Sequence, residues 1–132
     1  MTVLPDTSIW VELLREGTDG PAGELDRLLS ERAVVTCGPV VAELLAGTPP
    51  DRQEELWILL SSLPWADLDT FGWREAGVVA GSLRRSGRAV PLTDVVIAVS
   101  ARRARSVLWT RNTGFDRIVE VLPALELYER AR

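Results

Sequence analysis

Short apolar runs alternate with longer amphipathic ones along this chain. "TVLP" is too short for a helix and suits a first strand, while "TSIWVELLRE" places Ile9, Trp10, Leu13 and Leu14 at helical spacing. "GTDGP" breaks the pattern, and "AGELDRLLSE" resumes it with Leu25, Leu28 and Leu29 on one face. The β-branched run "AVVTC" predicts a second strand. Gly38 and Pro39 open a helix over "VVAELLAG", which Gly47, Pro49 and Pro50 close. "DRQEELWILLSSL" is helical, "WADLD" a strand, "GWREAGVVAGSLRRSG" and "TDVVIAVSARRAR" helices, and "SVLWT" a strand. "IVEVL" is expected as the last strand, and "ALELYERAR" as a short helix or an irregular tail. Strands separated by helices predict a three-layer α/β/α domain around a mainly parallel sheet.

The 132 residues fit one domain, expected to span 1–132. A chain of this size buries roughly 65–70% of its unfolded surface, so a real core is available. No leader peptide is expected, nor a run long enough for a membrane, which predicts a cytoplasmic protein with no membrane partner. There is no histidine, and Cys37 is the only cysteine. Those two facts exclude histidine-based catalysis, an intramolecular disulfide and cysteine-ligated zinc. All 15 basic residues are arginine, so lysine Schiff bases and a Walker lysine are absent too. Carboxylates remain as the agents of any chemistry.

The net charge is −4, yet Arg84, Arg85, Arg88, Arg102, Arg103, Arg105, Arg111 and Arg117 fall close together in sequence. They predict either a local basic surface or merely solvated helix faces.

The acids stand at telling places. Asp6 follows the first strand, at the edge where parallel sheets bind ligands, although an Asp there also caps a helix. Asp94 falls in the first turn of its helix, with Thr93 as the expected N-cap; the helix dipole favours an acid there. Glu43 is the only polar side chain in "PVVAELLA". A helix apolar all round is usually buried, and a buried lone carboxylate needs a partner or a cation; a narrow solvent stripe through Glu43 is the other reading. After "SVLWT" come Arg111, Asn112, Phe115 and Asp116. Acids gathered at one sheet edge repel one another, and a hard divalent cation relieves them. Oxygen ligands without His or Cys select Mg²⁺ or Mn²⁺, and such a site suits hydrolysis of a phosphodiester.

The ordered set of Asp6-Thr7-Ser8, Glu43 in "VVAELLAG", Asp94 in "PLTDVVIA" and "TRNTGFDRI" resembles a PIN domain. More narrowly it resembles the VapC toxins of VapBC toxin–antitoxin pairs, over essentially the whole chain. The resemblance implies an Mg²⁺- or Mn²⁺-dependent endoribonuclease acting on structured RNA such as tRNA or rRNA. It also implies a homodimer and a VapB-like antitoxin that holds it inactive. Asp6, Glu43 and Asp94 match the family's first three acids and are the expected metal ligands. Thr7 and Asn112 are expected to support them, and Arg111 to contact RNA phosphate. The family often carries Asp where this chain has Asn112, which leaves Asn112 or Asp116 as the fourth site residue. Pro5 also departs from the family's usual aliphatic residue and removes one strand N–H. A phosphoaspartate enzyme would want paired acids and a lysine, both missing. A catalytically weak or inert PIN-fold binding module is the alternative that Asn112 keeps open.

Overall fold

The computed structural model describes residues 1–128. Strand β1 (Thr2–Pro5) runs parallel to β2 (Ser106–Trp109), with Thr2 opposite Ser106 and Pro5 opposite Trp109. Single parallel bridges extend this pair on both sides. Val34 joins Val3, Trp65 joins Thr36, and Leu127 joins Leu108. Five extended segments therefore lie side by side, all parallel.

Seven helices link them among the described residues: α1 (Thr7–Glu16), α2 (Gly23–Ser30), α3 (Gly38–Ala46), α4 (Pro50–Ser61), α5 (Thr70–Arg85), α6 (Leu92–Arg103) and α7 (Phe115–Val121). Every residue of β2 is buried, as are Val3, Leu4 and Pro5. Side chains of a strand alternate between faces, so helices cover both faces of the sheet. This is the expected three-layer arrangement. α6 is its central helix, buried without interruption from Val95 to Ala101.

Three expectations need correction. "AVVTC" forms no extended strand. Val35 donates to Val3 O at 2.9 Å, but Thr36 already turns to Pro64 O at 3.0 Å, and α3 starts two residues later. The segment changes neighbours before a ladder can grow. "WADLD" likewise contributes one bridge, at Trp65, just after Pro64, which has no N–H to donate. "IVEVL" is not a strand at all: Phe115, Ile118 and Leu122 recur at helical spacing and are all buried, so burial overrides β-branched propensity. The edge segment instead comes from the tail, where Leu108 donates to Glu126 O at 2.9 Å and Tyr128 to Leu108 O at 2.7 Å. The remainder of that predicted tail lies outside the described residues.

Candidate active site

The C-terminal ends of β1 and β2 are tied together by Asp6 N–H, which donates to Trp109 O at 2.9 Å. Asp6 caps α1, its Oδ1 accepting from Ser8 N–H at 3.0 Å. The same oxygen accepts the Ser8 hydroxyl at 2.5 Å, and Oδ2 accepts the Thr110 hydroxyl. The side chain is thus a cap and more than a cap. It is only 5% exposed, and burial pushes its pKa upward, while the bonds from Ser8 and Thr110 oppose that shift.

Glu43 lies on an exposed stripe of α3 with Ala42 and Ala46, while Val40, Val41 and Leu44 face the core. The expectation of a buried acid is therefore corrected in favour of the solvent stripe. α3 is short enough to expose one side without exposing a large residue, because that side carries alanines. Thr7 at the start of α1 donates its hydroxyl to Glu43 Oε1 at 2.9 Å.

Asp94 is the third residue of α6. Pro91 is the N-cap, with no side-chain capping bond, so Thr93 lies inside the helix and does not cap it. Proline at the cap sets an extended entry, and the helix begins earlier than Thr93 predicts. The pKa of Asp94 is raised, first by burial and then by the charges of Glu43 and Asp6. The three acids share one field. No described arginine pairs with any of them. They do not close into a compact cage, since no group of three His, Cys, Asp or Glu close enough to hold an ion occurs among the described residues.

The loop after β2 straps the cluster. Arg111 N–H donates to Ser8 Oγ at 3.1 Å, and Asn112 N–H to Thr110 Oγ1 at 2.9 Å. Asn112 Nδ2 reaches Asp94 Oδ2 at 3.4 Å, while its Oδ1 accepts from Gly114 N–H at 2.8 Å. Asn112 therefore stands in the cluster. Asp116 sits exposed in the first turn of α7, and the charges that act on Asp94 are those of Glu43 and Asp6, not of Asp116. Arg111 reaches Glu12 Oε2 through Nε at 3.0 Å.

Ser8, Thr110 and Glu12 were missed as site residues by sequence reasoning. Ser8 had a readable signal, being two residues past a capping Asp. Thr110 and Glu12 meet their partners across separations of 104 and 99 residues, which no local pattern records.

Residues 3–121 match the PIN domain model. The chain belongs to the PIN-domain family. Within it, Ribonuclease VapC11 of Mycobacterium tuberculosis and VapC ribonuclease Mb1587 of Mycobacterium bovis are each 34% identical to this PIN domain over 124 residues, covering 90% of this chain and 92% of theirs. A crystal structure of VapBC2 from Rickettsia felis, bound to a DNA fragment from its promoter, superposes with a TM-score of 0.77 at 26% identity, covering 97% of this chain and 98% of that one.

Proposed function

We propose that this chain is a divalent-metal-dependent endoribonuclease, the toxin of a type II toxin–antitoxin pair. One observation supports the site: Asp6, Glu43 and Asp94 come from three elements, the charges of Glu43 and Asp6 both act on Asp94, and no described arginine pairs with any of the three. The likeness to VapC ribonucleases over 90% of the chain supports RNA as substrate. The VapBC2 complex supports a VapB-like antitoxin as partner. Structured RNA such as tRNA or rRNA is the substrate class, and residues 1–132 act as one domain in the cytoplasm. Exposed Phe71 and Val78, two turns apart on one side of α5, support a homodimer.

The donor set fits Mg²⁺ or Mn²⁺, being oxygen-only and negatively charged. Asp6, Glu43 and Asp94 would hold the ion. When bound, it lowers the pKa of a coordinated water and neutralises charge building on the phosphodiester. The protein's own work is preparation. Ser8 and Thr110 donate to the two oxygens of the buried Asp6 and so favour its ionised form against burial. Thr7 orients Glu43, and Asn112 orients Asp94. Arg111 engages Glu12 only through Nε, which leaves its terminal amino groups to meet a phosphate.

The test is incubation of purified protein with total RNA at neutral pH. Cleavage is expected with Mg²⁺ or Mn²⁺ and not with EDTA. Cleavage undiminished by EDTA would overturn the metal reading.

A further inference from the structure

α1 holds Arg111 at two points. The backbone N–H of Arg111 donates to Ser8 Oγ at 3.1 Å, and its side chain donates through Nε to Glu12 Oε2 at 3.0 Å. Ser8 and Glu12 stand four residues apart on α1, so they share one face of that helix. The ion pair is more sheltered than the Arg27–Glu31 pair of α2: its side chains are 35% and 24% exposed, against 56% and 54%. Among the described residues it is the one ion pair that ties α1 to the loop after β2.

That loop is the strap over the acids. Thr110, just before Arg111, donates to Asp6, and Asn112, just after it, donates to Asp94. The Arg111 side chain therefore springs from between two residues that touch the acids. A guanidinium is planar, and a carboxylate on Nε fixes the direction in which that plane lies. Its terminal nitrogens meet no acceptor among the described residues. Together they form an edge that can take two phosphate oxygens at once.

Glu12 stands apart from the acids themselves. The charges that act on Asp94 are those of Glu43 and Asp6, and Glu12 is not among them. A carboxylate beside a polynucleotide site has the wrong sign unless it holds a cation there, and Glu12 holds Arg111.

We propose that Glu12 is a positioning residue for RNA cleavage, holding the Arg111 guanidinium so that its outer edge receives a phosphate of the RNA at the acid edge. The inference rests on the ribonuclease reading above. Simple charge and positioning differ in sign here. The chain carries a net charge of −4, so removing any acid should by charge alone tighten RNA binding. Removing Glu12 should weaken it, because an untethered arginine must be ordered at each binding event.

The experiment uses the full chain and a total tRNA preparation. Cleavage is followed at neutral pH with Mg²⁺, and binding of the same RNA is read across a salt series with Mg²⁺ omitted. Glu12→Ala should raise KM about tenfold with kcat retained, the loss of one charge-assisted contact. Its slope of log K against log salt should fall by about 0.7–0.9. Arg111→Ala should do the same, and the double variant should do no more than Arg111→Ala alone, because Glu12 acts through that arginine. Glu12→Gln keeps an acceptor oxygen for Nε and should recover most of the wild-type KM. Glu31→Ala, which breaks the exposed pair on α2, should match wild type. Mn²⁺ affinity of Glu12→Ala should be unchanged by calorimetry, since Ser8 still holds the loop backbone.

If wild type cleaves RNA while Glu12→Ala leaves KM unchanged or lowers it, the positioning role is overturned and the nuclease reading stands. A loss of Mn²⁺ affinity as large as the rise in KM would also overturn it, because Glu12 would then serve the acids through the strap. So would an effect of Glu12→Ala that persists beside Arg111→Ala. Should Glu12→Ala fail to fold by circular dichroism, an unchanged KM in Arg111→Ala overturns the proposal on its own. If wild type cleaves no RNA, the nuclease reading fails, and the role of Glu12 with it.

Discussion

Thr110, at the end of β2, donates its hydroxyl to Oδ2 of Asp6, at the end of β1, joining residues 104 apart in sequence. That bond favours the ionised carboxylate against the burial that disfavours it. Thr110→Val removes the donor at nearly constant volume. The Asp6 pKa should then rise further, so the acid limb of the pH–rate profile should move to higher pH. Mn²⁺ affinity should fall about 10–100-fold, as for an outer-shell partner. An unmoved acid limb together with unchanged Mn²⁺ affinity by titration calorimetry would mean the bond serves folding alone.

Asp6→Asn, Glu43→Gln and Asp94→Asn should each abolish cleavage while the protein stays folded. Circular dichroism and RNA cleavage on the same preparations check this. Asn keeps the capping oxygen at position 6, so α1 retains its start. Residual cleavage near wild type in any of the three would remove that residue from the site.

The sign of the pH dependence follows from the raised pKa of Asp94, whose ordinary value is 3.8. Between 3.8 and the raised value, the folded state holds more protons than the unfolded state. Stability of the metal-free protein therefore falls as pH climbs through that window, and the loss is complete above it. Asp94→Asn removes the loss. At pH 7 the metal-free variant should melt at the same temperature as wild type or higher, by less than about 1 kcal/mol because Asp94 is partly solvated. Below the ordinary carboxylate range the two should converge. A variant markedly less stable at pH 7 would make Asp94 a structural acid.

Added Mn²⁺ should reverse the order. A ligand bound only by the folded state stabilises it by about 2.7 kcal/mol at a hundred times its Kd. Wild type should gain melting temperature with Mn²⁺ and lose it with EDTA, while Asp94→Asn should respond to neither. Differential scanning fluorimetry measures both, and an equal Mn²⁺ response in wild type and variant would place the ion elsewhere.

The acid edge was legible because its evidence is local. Asp6 ends an apolar run and begins a helix, and both facts stand in ten consecutive residues. Asp94 was legible for its helix but not for its cap, since Pro91 and Thr93 both carry start signals and only the three-dimensional entry decides between them. Glu43 was found for the wrong physical reason. Its seven apolar-looking neighbours in "PVVAELLA" include alanines, which a solvent face tolerates as readily as a core does. The sheet was legible in order but not in extent. A β-branched run such as "IVEVL" becomes a helix when its buried positions recur at three and four, and a tail with weak strand character takes the edge because Leu108 still needs a partner.

The neutral residue in the strap is the one we propose for the fourth position. Asn112 donates to Asp94 from Nδ2 and accepts from Gly114 N–H at Oδ1, so both ends of its amide are used. Asn112→Asp keeps the acceptor for Gly114 but replaces the donor to Asp94 with a second carboxylate oxygen. Without metal, the new charge repels Asp94 and should lower the melting temperature at pH 7. With metal, it adds an ionised hard-oxygen ligand and should tighten Mn²⁺ binding. Asp116 offers a contrast. It lies in the first turn of α7, where the dipole favours it by about 0.3–1 kcal/mol, and it is not among the charges that act on Asp94. Asp116→Asn should therefore cost a few tenths of a kcal/mol in stability and leave Mn²⁺ affinity and cleavage unchanged. Both variants are checked by Mn²⁺ titration calorimetry beside thermal melting. If Asp116→Asn weakens Mn²⁺ about tenfold or more while Asn112→Asp changes nothing, the fourth site residue is Asp116 and the strap through Asn112 only shapes the loop.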